Sequence, residues 1–389
     1  MISSRQAVIY TSVSGISVTA CGAVGDGKTD NTAAFRTAVA RAAAEGVAVF
    51  VPGGTYIIKD TIDLTGVTLC GDPAGSWPAD SITQPLLCFD NPAVPGLTVS
   101  HAAVSGLCFR APGTADAAPT ILVTGDDVSL YALKLQHVGC GIATARKGIR
   151  GLQLTDLFLP DPLGNGLCIG GCAGKTVIRN VEMWPSTIRP TPFSTEGAGI
   201  RLTDNEDVEL YDCFVWNARR AIVADGKNGT LHLRNCSVDF CSDGLVLEGE
   251  CDVYAEGGTF WTHYTAVRMA HDRARLQLRG MDLKSNGAPT IDIRRAERLF
   301  CEGLIVRRVM DEREQPVVDV SGGADICFSG CSLSARCRQE PAVRIGKPQA
   351  LTVRSCVICH PLGIGFSPDA DHCTLEHNAV LPLPPVLGA

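Results

Sequence analysis

No run of about eighteen apolar residues occurs in the 389-residue chain, so no segment reads as a membrane-spanning helix. An excess of one charge is missing too. The 34 basic residues stand against 41 acidic ones, a net charge of −7, which makes a nucleic-acid polyanion a poor default partner. The opening MISSRQAVIYTSVSGISVTA lacks the continuous apolar stretch of a secretory signal, because Ser, Thr and Gly interrupt it. Aromatic residues are few at 6%, and only four are Trp, so the place of each Trp carries information. Disorder and collagen are excluded by a 45% hydrophobic content and by 41 Gly without a three-residue period. What is abundant is cysteine: 18 residues, many for a chain without an export signal. Length alone predicts two or three domains.

Internal repetition changes that count. From Thr120 a three-part phrase recurs: a short G-φ-x-φ strand, a polar turn, then two alternating stretches split by Gly, Asn, Asp or Ser. GIRL–TDNED–VELYDCFV from Gly199 and AIVA–DGKNG–TLHLRNCSV from Ala221 are examples. Starts fall at Thr120, Gly141, Gly166, Gly199, Ala221, Gly244, Ala266, Thr290, Val317, Ala342 and Gly363, spaced 21 to 33 residues apart. Turns this brief leave no room for crossover helices, so βαβ units are excluded. The pattern predicts an all-β chain: a single-stranded parallel β-helix of about a dozen coils, three strands per coil, roughly 55–60 Å long.

Stacked coils make columns that can be read down the sequence. Before each third strand stand Asp156, Asn180, Asp212, Asn235, Gly257, Gly280, Gly303, Gly330 and Ser355, residue types that tolerate a left-handed turn. The next, inward column reads Leu157, Val181, Cys213, Cys236, Gly258, Met281, Leu304, Cys331 and Cys356. Four cysteines therefore take places suited to small hydrophobes. Outward cysteines such as Cys359 are the better candidates for reactive or cross-linking thiols.

Residues 16–72 differ. They hold the one convincing helix, with Asp30 as N-cap and an apolar stripe of Ala34, Phe35, Ala38, Val39 and Ala42. Such a helix closes the end of a solenoid that would otherwise expose an unpaired edge. The stretches GAVGDGKTDNTAAF (Gly22 to Phe35) and VPGGTY (Val51 to Tyr56) resemble the N-terminal motif of the pectate-lyase-like, right-handed parallel β-helix superfamily. That superfamily includes polygalacturonases, pectate lyases, epimerases and phage tailspikes. The resemblance implies the fold and, less directly, work on glycans. It divides the chain into an arm (1–15), a cap (16–72), the β-helix (73–380) and a Pro-rich tail (381–389).

Two motif matches point elsewhere. Gly22-x4-Gly27-Lys28-Thr29 fits a P-loop, yet Asp26 would sit among the phosphates and no βαβ series follows. Cys356-x-x-Cys359-His360 fits c-type haem attachment, yet alternation turns Cys356 inward and Cys359 outward. No cofactor or metal is expected.

The paired acids, Gly-His-Gly and Arg-x-Lys of polygalacturonases are not intact here. Gly125-Asp126-Asp127 follows its strand and reads as an Asx turn. Asp243 does stand just ahead of a first strand, in register with Glu196, Arg219, Arg220, His263 and Tyr264. The outward column of the third strands reads Trp184, Trp216, Asp239, Trp261, Lys284 and Arg307. Outward Trp is costly unless it stacks on a sugar or a partner subunit. The expected site therefore has Asp243, Glu196 and His263 as catalytic candidates. Trp184, Trp216, Trp261, Asp239, Arg219, Arg220 and Tyr264 would bind substrate. Carboxyls two coils apart would lie about 9–10 Å from each other, nearer an inverting than a retaining arrangement. A separate column, Arg268, Asp292, Asp319 and Arg344, reads as an ion-pair ladder, and so does Arg179, Tyr211, Arg234, Glu256, Arg279 and Glu302.

The functional expectation is a phage-type virion spike or fibre that binds, and in its fuller form degrades, a bacterial surface polysaccharide. The arm would attach it to other virion proteins, and resemblance to tailspikes implies a homotrimer. Virion localisation, or an extracellular one, goes with that reading; no nucleic-acid or membrane partner is expected. Two alternatives stay open: a stand-alone polysaccharide lyase or glycoside hydrolase, and a noncatalytic virion component cross-linked through cysteine.

Overall fold

A short alternating strand buries only one of its faces, so it needs an interior shared with others. Here three strands per coil surround one apolar interior and the coils stack. The computed structural model describes residues 15–71, 85–112, 114–160, 162–184, 197–287, 289–309, 315–335, 339–360, 362–366 and 372–381. Thirteen first strands, running from Ile62–Thr65 to Ile364–Phe366, form one parallel sheet. Each begins within one residue of the corresponding start read from the sequence, from Pro119–Val123 to the last. The second and third strands pair in the same parallel way. In Lys175–Met183 they are one strand bent at Asn180, whereas Lys227–Arg234 and Ser237–Cys241 are separate.

The bend is local chemistry. All nine residues of the turn column have φ between 49° and 67°, and Gly106, Ala132 and His377 extend the column at either end. Gly, Asn and Asp take this conformation most readily, and they fill eight of the nine places; Ser355 is the exception. Neighbouring turns also bond along the rod: Asn180 Nδ2 donates to Asp156 Oδ1 at 2.6 Å, and Asn235 Nδ2 to Asp212 Oδ1 at 2.7 Å. Inside, Ile222, Leu245, Val267, Ile291, Val318 and Val343 stack directly on one another, all buried.

The capping helix spans Thr32–Glu45 and buries Phe35, Ala38 and Ala42. Its N-cap is Asn31, one residue later than the sequence predicted. Asn31 is buried and spends its amide on Val24 and Thr29, so Asp30 caps from the preceding position, accepting from Thr32 N at 3.0 Å. The P-loop match dissolves at the same place. Asp26 accepts from Thr29 N and Lys28 N, both at 2.8 Å, and from the Thr29 hydroxyl, and these bonds lower its carboxyl to about 2. The chain's own carboxylate thus fills the cradle a phosphate would need. At the other end Cys356 is buried, Cys359 is half-buried on the opposite face, and His360 Nδ1 accepts from Leu362 N at 3.0 Å. Two thiols facing opposite sides of one strand cannot hold one haem.

Candidate functional site

On the outer face of the third strands, Trp216, Asp239, Trp261, Lys284 and Arg307 follow one another in direct register. Trp184, 45% exposed, stands next to this line with its ring edge-on to Phe214 at 6.4 Å. The line also contains an aromatic residue that alternation assigns to the inside. Between Asp239 and Cys241 the strand holds one residue more than its neighbour, and that residue, Phe240, turns outward. Its ring is 42% exposed and lies 5.7 Å from Trp216, 5.7 Å from Trp261 and 5.4 Å from His263.

Phe240 has φ of 53°, a left-handed conformation that bulky residues rarely take. One coil earlier Asn217 fills the corresponding slot with φ of 58°, as expected for Asn. A strained, exposed Phe in a slot that Asn satisfies marks a place where surface function overrides stability. In an ordinary strand Gly is less stable than Ala by about 0.5–1 kcal/mol. At position 240 that order will reverse, with Phe240→Gly melting at or above Phe240→Ala, because Ala keeps the strain of about 1–2 kcal/mol without the ring.

Asp239 lies between Trp216 and Trp261 with its Oδ1 buried and without a hydrogen-bond partner. Burial pushes its carboxyl above the usual range, while the Phe240 N–H, Lys284 and His263 pull the other way. A raised folded pKa means that ionisation costs stability above that pKa, and that the cost fades as pH falls towards the unfolded value of about 3.9. Asp239→Asn should therefore stabilise the protein at pH 7, a gain that shrinks towards pH 4. Thermal melts of both proteins across that range check it.

Asp243 opens the first strand Asp243–Leu247, directly beside Arg220. Its carboxylate is only 13% exposed and pairs with Arg268 Nη2 at 3.1 Å. Arg268 also reaches Thr265 Oγ1 at 3.3 Å and Asp292 at 3.5 Å, and Asp292 pairs in addition with Arg294 at 3.0 Å. Burial still raises the Asp243 carboxyl despite this pairing. The candidate site and the Arg268–Asp292–Asp319–Arg344 ladder thus meet at one guanidinium, and Arg344 closes the far end on Asp319. Arg220 pairs with Glu248 at 3.3 Å. The backbones of His263 and Tyr264 bond to Cys241 and Ser242 on the coil before, and Arg219 O accepts from Asp243 N, so these turn residues do stack. Glu196 lies outside the described residues.

A separate concavity lies elsewhere, on the face of the second strands. It has a volume of about 560 Å³, and a further 180 Å³ continues beside His232. Tyr254 and Phe300 form its floor, with Tyr254 stacked on His232 at 5.3 Å. Arg275, Arg298 and Arg279 line it, paired respectively with Asp252 (2.7 Å), Asp325 (3.1 Å) and Glu302 (3.1 Å). Sequence reading treated this face as ion pairs alone and missed the aromatic floor. The signal was there in the interleaved outward column His232, Tyr254, Gln277, Phe300.

Of the 17 described cysteines nine are buried, eight are half-buried and none is fully exposed. Burial pushes Cys140, Cys241 and Cys251 up to about 12, which makes them poor nucleophiles at neutral pH.

The family model for rhamnogalacturonase A/epimerase, pectate lyase-like, matches residues 15–85. Among solved structures, the A-module of the Azotobacter vinelandii mannuronan C-5 epimerase AlgE6 aligns with 94% of this chain and 99% of its own at a TM-score of 0.62 and 12% identity. This chain therefore has the pectate-lyase-like β-helix fold. The pre-mature gene product 12 of bacteriophage phi29 shares that fold at a TM-score of 0.66 and 14% identity, over 96% of this chain and 56% of the phage protein. Tailspike protein 3 of bacteriophage CBA120 aligns at 0.52 and 11% identity, over 94% of this chain and 59% of its own. No protein of curated function matches the sequence. The pectate-lyase-like fold is thus shared by an epimerase and by phage proteins, and no helix among the described residues is long and apolar enough to cross a membrane.

Proposed function

We propose that this chain is a virion spike or fibre of phage type that binds a bacterial surface polysaccharide along the third-strand face. The observation that carries the reading is the exposed, strained Phe240 set between Trp216 and Trp261. Three aromatic faces in line with the rod offer a polymer a series of stacking platforms, and the rigid scaffold holds them in place without ordering cost. Trp184 and Tyr264 extend the surface, and Arg219 and Arg220 supply donors beside it. Attachment through residues 1–15 and trimeric assembly belong to the same reading. The test is retention on immobilised capsule or lipopolysaccharide from candidate hosts. Trp216→Ala, Trp261→Ala and Phe240→Gly should each weaken binding by about tenfold or more. If all three variants bind like the parent, the face is not the site.

A second reading is supported by Asp239. A carboxyl with a raised pKa, a buried unpartnered oxygen and flanking Trp residues has the properties of a proton donor for glycosidic cleavage. Asp243, bound to Arg268, would then help order the site, and His263 beside Phe240 would assist proton transfer. Product analysis after incubation with the polysaccharide separates the two. Cleavage that Asp239→Asn abolishes and Asp243→Asn spares assigns the acid to Asp239.

A further inference from the structure

The cysteines of the inward column do not occur singly. Cys213 and Cys236 are neighbours on successive coils, and so are Cys331 and Cys356, while Leu157, Val181, Met281 and Leu304 fill other levels of the column. The thiols themselves donate to backbone carbonyls, Cys331 Sγ to Ser329 O at 3.4 Å and Cys356 Sγ to Arg354 O at 3.3 Å. Cys331 N also donates to Cys356 Sγ at 3.4 Å. Stacked coils set the two Cα atoms about 4.8 Å apart, within the roughly 4.4–6.8 Å that a disulfide spans. Each cysteine directly follows a left-handed turn residue, Gly330 or Ser355 in the second pair.

We propose that Cys331 and Cys356 form a disulfide between coils when the folded protein meets a hydroperoxide. The Cys356 sulfur attacks one peroxide oxygen, the O–O bond breaks, and a sulfenic acid and one water result. The Cys331 sulfur then attacks the Cys356 sulfur and expels its hydroxyl group as a second water. Two thiols are oxidised and one hydrogen peroxide is reduced to two waters. Cys356 is the attacking partner because the Cys331 N–H points to its sulfur and favours the thiolate there. Although the pair is buried, the strands stacked next to it, Cys373–Glu376 and Ala379–Leu381, are mostly exposed, and local opening is easiest where burial is least. Cys213 and Cys236 have the same geometry in the middle of the rod and oxidise more slowly. The inference is independent of the glycan reading.

The test is hydrogen peroxide treatment of the folded, fully reduced chain, then alkylation in denaturant and peptide mass analysis. The expected product is a Cys331–Cys356 cross-linked peptide that appears before any Cys213–Cys236 link. Cys331→Val, which keeps the column filled as Val181 does, should abolish the link and leave Cys356 as a sulfenic acid that a dimedone probe captures. Unchanged melting of that variant shows that the loss is chemical. Both cysteines remaining alkylatable after the half-buried Cys327 and Cys359 have oxidised, or a dominant link from either to another cysteine, would overturn the proposal.

Discussion

Replacing Arg268 with alanine will cost the folded protein about 3–5 kcal/mol, because it strands a buried carboxylate. Arg268 is three-quarters buried and bridges Asp243 and Asp292. Asp292 keeps Arg294 at 3.0 Å, so most of the damage falls on Asp243. Burial already raises the Asp243 carboxyl with Arg268 in place, and Arg268 is the main opposing influence. Without it the folded pKa climbs further above the unfolded value. The penalty is then full at pH 7 and fades as pH falls through the raised folded pKa towards about 3.9. Arg268→Ala should therefore unfold several degrees lower at pH 7 and recover part of the loss near pH 4. The double variant Asp243→Leu with Arg268→Met removes both charges and should lie within about 1–2 kcal/mol of the parent, since a buried pair is seldom worth more than the apolar contact that replaces it. A thermal or urea melt of the three proteins at two pH values decides it. If Arg268→Ala matches the parent, Asp243 is not held by Arg268 in solution.

The repetition made the fold legible. Strand starts, the left-handed turn column and the inward aliphatic stacks all follow from residue types that recur at a fixed phase, and stacking turns that phase into geometry. The Trp216–Asp239–Trp261–Lys284 line was legible for the same reason. What escaped was every place where phase slips. Phe240 reads as inward by alternation, and only the extra residue between Asp239 and Cys241 turns it out. The Asp30 cap moved by one position because Asn31 is drawn into the interior by Val24. The aromatic floor at Tyr254 and Phe300 was masked because its walls alternate in charge and read as ordinary surface pairing. Partners of Asp243 were hidden for a different reason. Register brings Arg220 beside it, but Arg268 reaches it diagonally along a long side chain, and no periodicity encodes that.

Gly258→Ala will cost about 3 kcal/mol or more, while Gly257→Asn, one residue earlier, will be close to neutral. Gly257 holds the ordinary slot of the turn column, with φ of 67° and no atom nearer than 3.9 Å to an added Cβ. Asn already occupies that slot at Asn180 and Asn235, so Asn at 257 meets nothing new. Gly258 is different. Its own φ is 86°, so this coil takes two left-handed residues in succession where its neighbours take one. A Cβ there would lie 1.9 Å from the Cys236 carbonyl oxygen and 2.9 Å from its carbon. The obstacle is backbone at the turn of the preceding coil, which cannot turn aside as a side chain can. Two costs therefore add: about 1–2 kcal/mol for the left-handed conformation and about 1–3 kcal/mol for the overlap. The coil affected is the one that sets Phe260 in the core and Trp261 on the surface, directly beneath Asp239. Loss of packing at Gly258 should therefore also displace the aromatic line, with quenching or shift of Trp emission at temperatures where the rest of the rod is still folded. Equal melting of Gly258→Ala and Gly257→Asn would show that the double glycine turn is not as tight as its backbone implies.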